Sequence, residues 1–242
     1  MQALIRGRYT ARLAVGQAEL AAAQTLRHLR FRSLRGLSPD GGLDQDRFDA
    51  QCQHMLIHQD TTLVACYRLL PLPDASAVAH SYAAQFYDLS RLARHPGPML
   101  ELGRFCLHPG HTDPDILRVA WGALTQVVDQ TAVQLLFGCS SFDGADPAPH
   151  LAALAHLAAR HLAPAEWAPV ATAPQSLDLR RLTTPPDASG LPPLLRSYLS
   201  LGGWVSDHAV IDPELNTLHV FTGLAIAAVP PVRARALRAI AG

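Results

Sequence analysis

The chain has no lysine. All twenty basic residues are arginine, set against twenty acidic residues in a chain of 242. This excludes a lysine Schiff base, a catalytic lysine amine and the GxxxxGK[ST] phosphate loop, each of which needs a primary ammonium. The formal net charge is zero, which removes strong steering of the whole molecule toward nucleic acid and leaves only a local basic patch open. Cysteine is scarce: Cys52, Cys66, Cys106 and Cys139 include no CxxC pair and follow no secretion signal, a pattern that fits a reducing cytoplasm. Long apolar runs are also missing. The longest, Leu218 to Val229, is interrupted by His219 and Thr222 and stops at Pro230-Pro231, short of the about 20 residues that span a bilayer. Peripheral membrane contact stays open. With 49% hydrophobic and 17% charged residues, the chain has enough apolar surface for a sizeable core.

Patterning gives a mixed α/β order. Arg8 to Val15 reads as a strand, and the Ala/Leu/Arg-rich run from Gln17 to Leu34 as a helix whose arginines crowd its C-terminal end, where the helix dipole favours cations. Gly36 to Asp49 is a loop or lid. Strands at His54–His58 and Leu63–Leu70 flank a turn at Gln59-Asp60-Thr61-Thr62. Between Pro73 and Gly97 the pattern allows a strand near Ala79–Ala83 and a helix from Tyr87 to Arg94. Met99–Leu107 is a strand, Thr112 or Asp113 caps a helix reaching Thr131, and Val133–Cys139 is a buried strand, which together make a parallel crossover unit. A helix from Asp146-Pro147 to Leu162, a Pro-rich connection, a helix at Leu194–Leu201 and strands at Trp204–Ile211 and Thr217–Ala225 complete the chain.

Two charged sets carry the chemistry. In Glu101-Leu102-Gly103-Arg104, strand alternation places Glu101 and Arg104 on opposite faces unless the chain bulges at Gly103, as glycine inside a strand often marks. The competing reading is an ordinary strand-edge ion pair. Around the lid stand Arg27, Phe31, Asp44, Asp46, Asp49 and Arg68. Arg68 sits within a strand, where a lone buried charge is costly; Asp49 is the simplest partner to propose, either as a structural bridge or as part of a substrate site. Gly138-Cys139-Ser140-Ser141-Phe142 lacks the GxSxG spacing of a nucleophile elbow, and His108 with His111 lacks the HExxH pattern of a zinc site. No metal is expected.

Several tracts occur in a recognisable order: Arg27 with Phe31; Phe48-Asp49 with His54-Met55-Leu56; Tyr67-Arg68-Leu69-Leu70; Leu100-Glu101-Leu102-Gly103-Arg104 with Cys106-Leu107-His108-Pro109; Phe137 to Phe142; and Asp207-His208-Ala209-Val210-Ile211-Asp212-Pro213. In this the sequence resembles the ornithine-lipid N-acyltransferases, which are similar in fold to the acyl-homoserine-lactone synthases and the wider GNAT acyltransferases. The resemblance implies an α/β GNAT-like mixed sheet with splayed central strands, ending near Leu107 and Cys139 and flanked by helices, over residues 1–229, followed by a short basic tail at 230–242. It implies transfer of a 3-hydroxy fatty acyl group from acyl carrier protein to the α-amino group of L-ornithine. The donor would be the phosphopantetheine thioester, with no other cofactor. Glu101 and Arg104 would be catalytic, with Arg27, Phe31, Asp49, Arg68, His108, Ser140, Asp207 and Asp212 binding substrate. The expected setting is cytoplasmic with peripheral contact at the inner membrane, for which Val232–Ile240 offers a short amphipathic helix. Two departures stand out. The [Q/R]xxGx[G/A] loop that binds coenzyme A is absent between His108 and Ile116, and no Trp follows Phe31 as it does in the homoserine-lactone synthases.

Overall fold

The computed structural model describes residues 2–39 and 41–242. Along the chain the regular elements are β1 (Leu4–Arg6), β2 (Tyr9–Leu13), α1 (Gly16–Phe31), β3 (Gln53–Gln59), β4 (Thr62–Leu72), β5 (Tyr87–Asp88), β6 (Met99–Leu107), α2 (Pro114–Thr131), β7 (Leu135–Asp143), α3 (Leu151–Arg160), β8 (Val170–Ala171), β9 (Ser176–Asp178), α4 (Pro193–Ser200), β10 (Trp204–Asp212), β11 (Thr217–Ala225) and α5 (Pro231–Ala241). They fall into two compact units. The first comprises Met1–Pro71, Leu102–Val133 and Pro231–Gly242, the second Leu72–Glu101 and Gln134–Pro230.

In the first unit β1 to β4 form an antiparallel meander. The β3–β4 turn is Asp60-Thr61, with Asp60 at φ 52°, the left-handed geometry that matches strand twist in a tight hairpin. The later part of β6 follows β4, where the His108 N–H donates to the Val64 carbonyl at 2.8 Å. Strand alternation divides the side chains between two helices: Leu56, Cys66 and Cys106 pack under Ala23 and Leu26 of α1, and the Tyr67 hydroxyl donates to the Ala120 carbonyl of α2 at 3.0 Å. α2 starts where expected, with the Asp113 carboxylate accepting from the Asp115 N–H at 2.9 Å and Pro114 in the first turn. The basic tail, in which the sequence offers a short amphipathic helix at Val232–Ile240, builds α5 (Pro231–Ala241) and docks within this unit. Gly122 of α2 permits the approach, since a Cβ there would lie 2.6 Å from Cγ2 of Ile240. Arg6 then donates to the carbonyls of Ala239 and Ile240 at 2.7 Å, satisfying the last turn.

In the second unit β7 pairs antiparallel with β11 along nine residues, and β10 and β9 follow. The first three residues of β6 run parallel to β7, in the register Met99↔Leu135, Leu100↔Leu136 and Glu101↔Phe137. The core of one face joins Phe142, Val205, Ala209, Leu218 and Val220 to Leu154 and Leu157 of α3 and Leu195 of α4. The stretch before β6 departs from the sequence reading. It holds 3₁₀ turns at Ala75–His80, Ala83–Gln85 and Leu92–Arg94 and the short β5, which pairs with β8, in place of a strand and a helix. Local side-chain bonds explain this: Asp74 accepts from the Ser76 N–H at 2.9 Å and Asp88 from the Ser90 N–H at 2.8 Å, turns that compete with helix. The α3 reading is trimmed likewise, because a 3₁₀ turn at Ala148–His150 precedes the helix.

Gly223 of β11 lies under the Trp204 ring, so that a Cβ there would meet Cζ2 at 2.3 Å. Gly223→Ala is therefore expected to lower stability by about 1–3 kcal/mol, the usual cost of overpacking, as read from the urea midpoint by tryptophan fluorescence. An unchanged midpoint would show that the ring yields freely.

Candidate active site

The first unit brings together the lid residues and the arginines of α1, β4 and β6. Arg27, on α1 and buried, donates through Nε to Oδ2 of Asp44 at 2.9 Å and through Nη1 to Oδ1 of Asp49 at 2.7 Å. Arg68, on β4 and also buried, grips Asp46 with two bonds, Nη1 to Oδ1 at 2.6 Å and Nη2 to Oδ2 at 2.8 Å. Its Nη1 also reaches Oδ1 of Asp49 at 2.7 Å. Asp49 thus bridges two guanidiniums, and Gln24 Nε2 donates to its other oxygen at 3.0 Å. Arg104 donates to Asp44 at 3.1 Å and to Asp46 at 3.3 Å, and Arg32 donates to Asp44 at 3.2 Å. Buried charges survive only when paired and bonded in this way.

The lid carboxyls titrate accordingly. Burial pushes Asp49 up, but Arg27, Arg68 and Gln24 more than offset it and hold the group at about 2. Asp44 and Asp46 are also held below the ordinary carboxylate range: burial opposes this, and the guanidiniums of Arg104 and Arg27 for Asp44, and of Arg68 and Arg104 for Asp46, outweigh it. Burial lowers His54, whose Nε2 lies 3.0 Å from the Asp49 carbonyl.

Strand β6 carries a break where its glycine foretells one. Arg104 has φ 53°, a left-handed conformation inside a strand, and a Cβ at Gly103 would stand 3.3 Å from Nε of Arg68. The glycine admits the Arg68 side chain, and the break turns Arg104 toward the lid acids. Phe31 shares this place, its ring centroid 5.9 Å from the Arg104 guanidinium carbon and 5.7 Å from that of Arg35.

In the second unit Glu101 is buried at the last paired position of β6 with β7. Its Oε2 accepts from the Tyr82 N–H and its Oε1 from the Ala83 N–H, both at 2.8 Å. These donors belong to the irregular stretch before β6, where sequence periodicity gave no signal. The remaining residues have partners of their own. Ser140 accepts from the Thr222 hydroxyl at 2.9 Å and, by strand alternation, faces away from Phe137 and Glu101. Asp207 pairs with Arg180 and with His208 Nδ1, each at 2.7 Å, and Asp212 accepts from the Leu215 N–H at 3.1 Å in the β10–β11 turn. His108 Nδ1 lies 3.3 Å from Nδ1 of His111. Among the described residues no cluster of three or more His, Cys, Asp or Glu residues suited to a metal ion occurs, and no helix is long and apolar enough to cross a membrane.

Residues 26–122 match the acetyltransferase (GNAT) domain. The fold is similar to that of FeeM, an N-acyl amino acid synthase from uncultured soil microbes, with a TM-score of 0.53 over 91% of this chain and 93% of that one at 12% identity. The chain has a GNAT-like fold. It is also 34% identical to an L-ornithine N(alpha)-acyltransferase of Rhodobacter capsulatus, over 88% of each chain. With that of Brucella abortus it shares 33% identity over 91% of this chain and 85% of the relative. It belongs to the L-ornithine N(alpha)-acyltransferase family.

Asp49→Asn removes one negative charge from between two buried guanidiniums, and a loss of about 3–5 kcal/mol of stability is expected in urea unfolding at neutral pH. Because the folded-state value of Asp49 is depressed to about 2 from an ordinary about 3.9, its contribution is complete above pH about 4 and is lost as pH falls toward about 2. The wild-type midpoint should fall through that window more steeply than the variant's. Equal stability of the two proteins at neutral pH would contradict the bridging role.

Proposed function

We propose that this chain acylates the α-amino group of L-ornithine with a 3-hydroxy fatty acyl group carried as a thioester on acyl carrier protein. The acceptor follows the names of the curated relatives, and the observation that carries the chemistry is Glu101. An α-amino group with a pKa of about 8 is mostly protonated at neutral pH and must lose a proton before it attacks. Glu101 is a buried carboxylate that accepts from the Tyr82 and Ala83 N–H groups, which fixes its orientation, and it would take the proton directly or through water. The amine nitrogen then bonds to the thioester carbon, the oxyanion is met by N–H groups, the C–S bond breaks, and the thiolate is reprotonated. No covalent enzyme intermediate is needed.

The start of α2 supports a carrier-protein donor over coenzyme A. A diphosphate binds readily at a helix N-terminus. Here Asp113 fills that place: its Oδ1 accepts the Asp115 N–H, its Oδ2 accepts Tyr9 and Arg8 at 2.7 Å, and these bonds hold it at about 2, so that a negative charge stands where a nucleotide would need donors.

Purified protein should form N-acyl-ornithine from 3-hydroxyacyl carrier protein, in preference to products from glycine or glutamine, as read by mass spectrometry. Glu101→Gln should lower kcat by about 10²–10⁴-fold. Since its amide NH2 would face one of the two backbone N–H groups, turnover is expressed per folded molecule from thermal melts. Unimpaired turnover by the variant, or no acylation of ornithine, would overturn the reading.

A further inference from the structure

We infer that Asp46 is an internal stand-in for the carboxylate of the amino-acid acceptor, which binds at Arg68 by taking that side chain's place. The three lid acids are not alike. Asp44 and Asp49 are buried, at 1% and 6% side-chain exposure, whereas Asp46 keeps 21%. Its neighbours Gln45 and Arg47 are exposed. Of the three carboxylates, Asp46 is the one that a solute can reach.

The contact has the form that a free amino acid would make. Nη1 and Nη2 of Arg68 meet Oδ1 and Oδ2 of Asp46 at 2.6 and 2.8 Å, the paired two-bond geometry in which a guanidinium holds a carboxylate. Other groups keep that guanidinium in place. Its Nη1 also bonds Oδ1 of Asp49 at 2.7 Å, its carbon lies 5.6 Å from the Phe48 ring centroid, and its Nε passes over Gly103. A site ordered in advance costs little entropy to fill.

Asp46 is tied to the loop by local bonds. Its Oδ1 accepts from the Phe48 N–H at 2.9 Å and its carbonyl from the Asp49 N–H at 3.2 Å, while its bond from Arg104 Nη2 is long, 3.3 Å. Asp44 and Phe48, both buried, anchor the chain on either side, so Gln45 to Arg47 is the span that can swing. Electrostatics makes the movement conditional. Arg68 is buried, and taking an anion from a buried guanidinium is costly unless another anion replaces it. Exchange of one carboxylate for another leaves the charge as it was; a diamine cannot make that exchange. The inference rests on the proposed reaction for the ligand's identity: its acceptor is an α-amino acid, whose carboxylate shares a carbon with the reacting amine.

The test is calorimetry of the full chain with L-ornithine. A group that occupies the site in the free protein lowers the ligand's apparent affinity by the fraction of time it stays. Asp46→Asn, which removes the rival charge, should therefore lower Kd about tenfold or more, whereas a bridge that only supports the fold would give weaker or equal binding. Putrescine, the diamine left when ornithine loses its carboxylate, should show no such gain. Hydrogen exchange supplies a second reading on the wild type. L-ornithine should speed exchange of the Phe48 amide, because its acceptor departs, and putrescine should not. Thermal melts establish that the variant is folded; should it fail to fold, the exchange measurement decides. Equal or weaker ornithine binding by the folded variant, an equal gain for putrescine, or unchanged or slowed exchange at Phe48 would overturn the inference. Acyl transfer to ornithine without these changes would overturn the exchange of carboxylates and leave the reaction standing. The same changes with glycine or glutamine, and none with ornithine, would leave the exchange standing and overturn the acceptor.

Discussion

The structure turns on Asp49, a carboxylate shared by two buried guanidiniums. Arg27 comes from a helix and Arg68 from a strand, and neither could be buried alone. The bridge between them sits on the loop that joins α1 to β3. Bonding the carboxylate to both therefore fixes helix, strand and loop at once, and the supporting bonds from Gln24 and toward Asp44 and Asp46 extend that constraint to Arg32 and Arg104. Such a network contributes little net stability against an apolar core of equal volume, because desolvation offsets most of the attraction. What it secures is geometry: a single arrangement in which every charge has its partner.

That geometry reaches strand β6. Gly103 exists where Arg68 needs room, and the left-handed Arg104 is the backbone's accommodation to a side chain that must turn toward the lid. A residue in that conformation is held there by its surroundings, here by bonds to Asp44 and Asp46 and by the Phe31 ring. Three positions earlier on the same strand, Glu101 is fixed by different means, two backbone amides from a segment of 3₁₀ turns. Strand β6 thus has two kinds of support, ionic after the break and backbone donors before it.

Much of the fold was legible in the residues. Met99–Leu107 and Thr217–Ala225 stand out because their apolar runs end at turn-forming residues, and α2 because Asp113 and Pro114 announce its start. The partnership of Arg68 with Asp49 followed from the cost of an unpaired charge on a strand. A bulge was foreseeable at Gly103, but the left-handed turn of Arg104, and hence its aim at Asp44 and Asp46, was not, because it depends on where Arg68 crosses. The donors to Glu101 were hidden in a segment whose Asx turns overrule helical or strand periodicity. Ser140, Asp207 and Asp212 were singled out by the order of matching tracts, and such order does not reveal which face of a strand a residue takes.

The decisive observation would be a structure of the chain with N-acyl-ornithine bound. The mechanism places the amide nitrogen within hydrogen-bond reach of the Glu101 carboxylate, about 2.6–3.2 Å or one water away. A product whose amide lies remote from Glu101, with that carboxylate still held by Tyr82 and Ala83 and touching nothing of the ligand, would contradict it.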